Sequence, residues 1–169
     1  MEVNQVPKCS SDAPETGCCP RFNPEGWDEQ EIIFDNKKFV KAKTRSFMHI
    51  PLNMGKVYTK TCKAIEDVKA FPEDYYLILS VDESPWRAEH FFAVEKDVPG
   101  EEMATLSGRY MTKVFEGPYK DAPKWMKEME GYLKSKDKEI KKFYLFYTTC
   151  PKCAKHYGKN YVVAFAQIA

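Results

Sequence analysis

Six cysteines are the residues of this 169-residue chain best suited to chemistry, and four of them fall in two close groups. Cys150 and Cys153 stand at C-x-x-C spacing, with His156 three residues further on. That spacing lets two thiolates reach one tetrahedral metal ion from a single turn of chain. Cys18 and Cys19 form the second group, close to the N-terminus. Four sulfur ligands, or three with an imidazole, suit zinc or thiolate-bound iron. Adjacent cysteines are awkward joint ligands of one ion, so His156 is the alternate to Cys18 or Cys19. Four protein ligands make a closed structural site, whereas three leave a position for water and Lewis-acid chemistry. Two other readings of the pair stay open: a redox dithiol, and two thiols without a joint role. A thioredoxin-like site wants its first cysteine at a helix start after a strand in a βαβ setting, whereas this stretch reads as a tight loop between strands. Cys62 falls on an apolar helix face and is expected in a core. Cys9 is expected in a loose tail.

The other reactive side chains are acids and tyrosines. Glu83, Glu89 and Glu116 become general acids or bases if burial raises a carboxyl pKa toward neutrality, with Tyr119 as the accompanying hydroxyl. Each of these acids also reads as an ordinary solvated turn or strand-edge charge. His49 and His90 lie in strand-like runs and are expected as satisfied core or surface histidines. No Ser-His-Asp arrangement, phosphate-binding glycine loop or H-E-x-x-H motif occurs. Trp86, Tyr110, Tyr119, Trp125, Tyr144 and Phe146 are candidates to line a pocket for a flat or apolar molecule.

Composition narrows the partners. Apolar residues make up 43% of the chain and aromatics 14%, enough for one sizeable core. The net charge is +1, with Lys and Arg interspersed among Asp and Glu, which argues against a nucleic-acid footprint. No apolar run approaches the roughly 18 residues of a membrane span. The opening Met1–Lys8 lacks the basic start and apolar stretch of a signal peptide. A cytoplasmic location is therefore expected, where cysteines stay reduced and available to metal.

The elements that must position these groups follow from periodicity. Residues 1–30 carry Pro7, Pro14, Pro20, Pro24, Gly17 and Gly26 and read as an irregular lid, loose over 1–15 and packed over 18–30. Glu31–Phe34 is a short apolar run, Asp35–Lys38 a turn, and Phe39–His49 a strand. Met54–Phe71 is a helix with Val57, Tyr58, Thr61, Cys62, Ile65 and Val68 on one face, stopped by Pro72. Tyr75–Val81 and Ala88–Glu95 are strands on either side of the turn Asp82–Pro85. Ala104–Glu116 is a strand broken by Gly117-Pro118. Tyr119–Asp137 is a helix with Ala122, Trp125, Met126, Met129, Tyr132 and Leu133 at helical spacing. Phe143–Thr149 and Asn160–Ile168 are strands joined by a tight loop that carries Cys150, Cys153 and His156. The order strand, helix, strand, strand thus occurs twice, over about 31–100 and 101–169. Two such units sharing one antiparallel sheet, with both helices on one face, make an α+β fold with a concave pocket between the repeats.

This duplicated pattern resembles the GyrI-like small-molecule-binding domain, also found as the effector-binding domain of BmrR-type regulators. The likeness is carried by Asp82-Glu-Ser-Pro85, by Leu106-Ser-Gly-Arg-Tyr110, and by Val114-Phe-Glu-Gly-Pro-Tyr119 followed by a helix with Trp125. It spans roughly residues 36–169. Many members place a glutamate in the strand after the second helix, whereas Phe143–Tyr147 has no acid. The Cys-Cys-Pro lid and the C-x-x-C loop are additions to the family pattern. The resemblance implies a small hydrophobic molecule bound between the repeats; the cysteine spacing adds a structural zinc tying residues 18–19 to the 150–156 loop. Because some relatives of the fold hydrolyse strained electrophilic molecules, a hydrolase of a small electrophile is the alternative; a dithiol redox or structural module is the third.

Overall fold

A computed structural model of the protein describes residues 2–9, 19 and 21–169. The chain forms two compact units, one of residues 36–107 and one that joins 1–35 to 108–169. The elements run β1 (Glu31–Phe47), β2 (Ile50–Pro51), α1 (Met54–Asp67), β3 (Ile78–Ser84) and β4 (Arg87–Ala93). They continue as β5 (Met103–Glu116), α2 (Ala122–Lys134), β6 (Ile140–Tyr147), α3 (Pro151–Tyr157) and β7 (Tyr161–Ile168). The fold is α+β, with antiparallel strands and the strand-helix-strand-strand order repeated. No helix among the described residues is long and apolar enough to cross a membrane.

In the unit of residues 36–107, β4 pairs with β1 and β3. α1 covers one face because Ile65 and its half-buried neighbours Val57, Tyr58, Cys62 and Val68 recur at helical spacing. They pack on Val40 and Ala42 of β1, Phe92 of β4 and Val94 just beyond it, at alternate positions of each stretch. His90 is buried on this side. Its Nε2 lies 2.8 Å from Thr44 Oγ1, and its Nδ1 lies 2.7 Å from Ser80 Oγ and 2.9 Å from the Tyr58 hydroxyl. Burial lowers its pKa to about 4, so at neutral pH it is an uncharged core residue, as expected. His49 is exposed and faces Asp82 at 3.1 Å.

In the other unit, β7 lies between β5 and β6. One face packs on α2: Trp125, Met129 and Leu133, one turn apart, are buried against Met111, Phe115, Leu145, Ala164, Ala166 and Ile168. Met126, grouped with that stripe in the sequence, points outward and is 40% exposed. The opposite face carries Tyr110, Thr112, Tyr144, Phe146 and Phe165, the alternate residues of the same strands.

Several boundaries differ from expectation, each for a local reason. The expected turn at Asp35–Lys38 lies inside β1, which runs unbroken over 17 residues. Asn36 absorbs the irregularity at φ 49°, a left-handed conformation that asparagine tolerates, and its N–H donates to Ser107 Oγ at 2.8 Å. The cysteine-bearing tight loop is a helix, α3, that starts just after Cys150 with Pro151 in its first turn and ends at Gly158 in the left-handed region. α1 stops at Asp67 rather than Phe71, because Lys69 turns left-handed three residues before Pro72. The first residues are not a loose tail. The Asn4 N–H donates to Ile33 O at 2.9 Å, its side chain bonds to both backbone groups of Asp35, and Val6 and Cys9 are buried.

Candidate functional site

α3 decides the geometry of the cysteines. Cys150 caps its N-terminus in extended conformation and Cys153 lies in the first turn, so C-x-x-C spacing turns both thiols to one side. Cys153 is fully buried and Cys150 half-buried. Cys19 arrives from the far end of the chain, and the Sγ atoms of Cys19, Cys150 and Cys153 all lie within 4.8 Å of one another. The three cysteines are close enough to bind one metal ion. Cys18, the fourth predicted ligand, lies outside the described residues. His156, the alternate, is exposed on the last turn of α3, its ring 5.3 Å from that of Tyr157.

Two residues absent from the sequence-based candidates hold Cys19 in place. The Tyr157 hydroxyl donates to the Cys19 carbonyl oxygen at 2.5 Å. The Arg21 guanidinium sits 4.5 Å from the centre of the Tyr157 ring, a cation–π contact. Neither role has a local sequence signature, since the partners are 138 positions apart.

Tyr119 stands against the same cluster. Its hydroxyl donates to Thr149 O at 2.9 Å, and its ring meets Tyr147 edge-on at 5.2 Å. Burial first, and then the nearby Cys150, Cys19 and Cys153, push its pKa up to about 12, so it is a neutral donor at physiological pH. It is delivered by the Gly-Pro-Tyr corner, where Gly117 sits at φ +148° and exchanges hydrogen bonds with Asn160. A shallow, open groove of about 470 Å³ runs between this corner and α3, lined among others by Glu116, Tyr119, Lys155 and Lys159. A smaller one of about 250 Å³ is lined by Arg21, Phe22, Thr149, Tyr157 and Lys159.

The other predicted residues are dispersed. Glu116 is exposed at the rim of the larger groove. Glu83 belongs to the other unit, exposed and 3.6 Å from Arg87. Glu89 is buried in that unit and paired with Lys41 at 2.7 Å. Trp86 is 55% exposed there, edge-on to Phe47. Trp125 is in the core under α2, stacked on Phe115 at 5.7 Å. Tyr110, Tyr144 and Phe146 share the strand face that α2 does not cover, all buried. The Tyr110 hydroxyl is enclosed without a hydrogen-bond partner among the described residues. Trp27, left without a functional role by the sequence, lies on that face, its ring 5.6 Å from Phe146 and 6.1 Å from Phe165.

These features define an α+β protein of duplicated strand-helix-strand-strand units with a three-cysteine cluster near one groove. The chain belongs to the bacterial hydrolase family, whose family model matches residues 9–168. No curated protein matches it. Among solved structures, it is similar to an uncharacterized conserved protein from Listeria innocua, with a TM-score of 0.59 and 9% identity over 84% of this chain and 92% of that one. A hydrolase from Listeria innocua aligns with a TM-score of 0.57 and 12% identity over the same shares, 84% and 92%. SAV2435 bound to tetraphenylphosphonium aligns with a TM-score of 0.49 and 15% identity over 84% and 94%. The two Listeria likenesses show the fold.

Proposed function

We propose that this chain is a GyrI-like protein that binds a small, largely hydrophobic molecule, with a cysteine-ligated structural zinc fastening its N-terminal segment. The observation that carries the reading is the cysteine cluster. Zinc–thiolate bonds of about 2.3 Å at tetrahedral angles put sulfurs about 3.8 Å apart, and three Sγ atoms within 4.8 Å of one another need little movement to reach that spacing. Thiolates without carboxylates favour zinc over the hard cations. Cys18 or His156 supplies the fourth ligand. The apolar ligand is supported by the aromatic face of Tyr110, Tyr144 and Phe146, where the buried Tyr110 hydroxyl has no partner among the described residues. Of the other aromatic candidates, Trp125 lies under α2 and Trp86 in the unit of residues 36–107, so neither belongs to this face, and Tyr119 stands at the cysteine cluster. Metal content by elemental mass spectrometry, with cysteine mapping by alkylation, tests the zinc. The expected result is about one zinc per chain, with Cys19, Cys150 and Cys153 alkylated only after chelation. No metal and freely reactive thiols would overturn it.

A second reading is favoured by Tyr119, which lies against the cysteine cluster at the mouth of a groove that also holds Glu116. In that reading the protein is a hydrolase of a small electrophile, with Tyr119 donating a hydrogen bond to the leaving or developing oxyanion and Glu116 acting as base. The family description supports it. Hydrolysis of a p-nitrophenyl ester, lost in Tyr119→Phe and Glu116→Gln while zinc content is unchanged, is the outcome it requires. Equal rates in wild type and both variants would exclude it.

A further inference from the structure

We infer that residues 21–30 form a displaceable plug: Trp27 occupies the place of a planar, uncharged aromatic ligand, and the cysteine cluster sets how readily the plug leaves. The inference rests on the reading of a cysteine-ligated zinc and an apolar ligand, and adds where the ligand sits and what controls access to it.

Four observations lead there. First, Trp27 has no exposed surface and lies tilted against Phe146 and Phe22, each at 5.6 Å, and edge-on to Phe165 at 6.1 Å. The packing is of aromatic rings at the offset and tilted angles a bound flat molecule would adopt. Second, the plug forms no helix or strand of its own. Residues 21–24 are in no regular element and 25–29 are turns. Its polar anchors are bonds to the first residues and to β5: Asn23 N–H donates to Cys9 O at 2.9 Å, Trp27 Nε1 to Lys8 O at 3.2 Å, Thr112 Oγ1 to Trp27 O, Val114 N–H to Asp28 Oδ1 at 2.9 Å and Thr112 N–H to Gln30 O at 2.8 Å, with Lys113 paired to Glu29 at 3.1 Å. Third, its two ends differ. The C-terminal end continues into β1, where Arg109 grips Glu31 through two nitrogens. The N-terminal end is held at Cys19, by its thiol in the cluster and by Tyr157 on its carbonyl. With that end released, Phe22 and Trp27 can leave once the single bonds of Asn23, Trp27 and Asp28 to Cys9, Lys8, Thr112 and Val114 break, with every pairing of β5 to β7 kept. Fourth, the uncovered face is prepared for a polar atom. Tyr110 lies on it beside Tyr144, fully buried, its hydroxyl unpartnered among the described residues. A buried hydroxyl without a partner is unfavourable. A ligand acceptor oxygen or nitrogen would satisfy it, which the hydrocarbon ring of Phe34, centred 5.0 Å from that of Tyr110, cannot.

Ligand and plug then compete for one face, and by linkage the ligand must weaken zinc binding by the same factor as zinc weakens ligand binding. The probe is 2-naphthol, a planar bicycle of indole size with one oxygen. Titration calorimetry on zinc-loaded and zinc-stripped wild type, with near-ultraviolet circular dichroism to confirm that the stripped protein is folded, is the experiment. The stripped protein should bind 2-naphthol at least tenfold more tightly, and zinc-loaded Trp27→Ala should do the same. Equal affinity of the loaded and stripped forms would overturn the plug. If stripping unfolds the protein, the reciprocal measurement decides: zinc transfer from wild type to the chelating dye 4-(2-pyridylazo)resorcinol should accelerate saturably with 2-naphthol, and an unchanged rate would overturn it. Absence of zinc from the protein, seen in metal content before any naphthol is added, would instead overturn the reading underneath.

Discussion

The Tyr157 hydroxyl, on the last turn of α3, donates to the carbonyl oxygen of Cys19 at 2.5 Å. This bond fixes the direction from which the Cys19 thiol meets Cys150 and Cys153. An outer group of this kind orients a ligand without touching the metal, and its loss commonly costs 10–100-fold in affinity. Tyr157→Phe is expected to weaken zinc binding about tenfold while leaving the zinc-loaded fold intact, as read by competition with a chelating dye. Unchanged affinity would mean that Cys19 is positioned by other contacts.

Gly117 carries the corner that delivers Tyr119. At φ +148° an alanine is strained, and its Cβ would lie 3.4 Å from Asp121 Oδ2 and 3.6 Å from Trp125 Cζ2. Gly117→Ala is expected to destabilise the protein by about 1–3 kcal/mol in chemical denaturation, from backbone strain. A change under about 0.5 kcal/mol would show that the corner relaxes.

Trp125 is 3% exposed and stacked on Phe115 at an interplanar angle of 16°. Trp125→Ala leaves a cavity between α2 and its strands, and should cost about 3–5 kcal/mol. Because Trp125 lies on the α2 side of the strands, zinc content of the folded fraction should not change.

His90 gives a pH dependence with a definite sign. Its folded pKa, lowered by burial to about 4, is below the ordinary value of 6.5. The unfolded chain therefore takes up the proton first as pH falls. Its contribution to stability is complete above about pH 6.5 and is lost between there and about pH 4, by about 3 kcal/mol at most. The groups around it, Thr44, Ser80 and Tyr58, are uncharged in that range and do not compensate. Denaturation midpoints across this window should fall with acid in wild type and less steeply in His90→Gln. Parallel slopes would assign the acid loss to other groups.

Much of this was legible in residue order. Trp125, Met129 and Leu133 at helical spacing announced α2 and its buried face, and Gly117-Pro118 marked the break before it. C-x-x-C marked one wall of the cysteine cluster because a single turn suffices to bring both thiols together. What was hidden depended on distance along the chain. Cys19 was expected to meet Cys150 and Cys153 because the two close cysteine groups make one ligand set, but nothing local to Tyr157 says that its hydroxyl reaches back to residue 19. α3 was masked by the strands on either side, which made its residues read as a connecting loop. Trp27 looked like an ordinary packing residue, because a sequence shows that an indole will be buried but not which face it covers. Asn36 read as a turn because its tolerance of positive φ shows in the sequence, but not that the strand continues through it.

The central claim is a zinc held by thiolates that join the two ends of the chain. X-ray absorption at the zinc edge on purified, untagged protein tests it most directly. The account predicts about one zinc per chain with a first shell of three or four sulfurs at about 2.3 Å, reduced by one sulfur in Cys19→Ser. A shell of oxygen and nitrogen alone, or a sulfur count unchanged by that substitution, would contradict it.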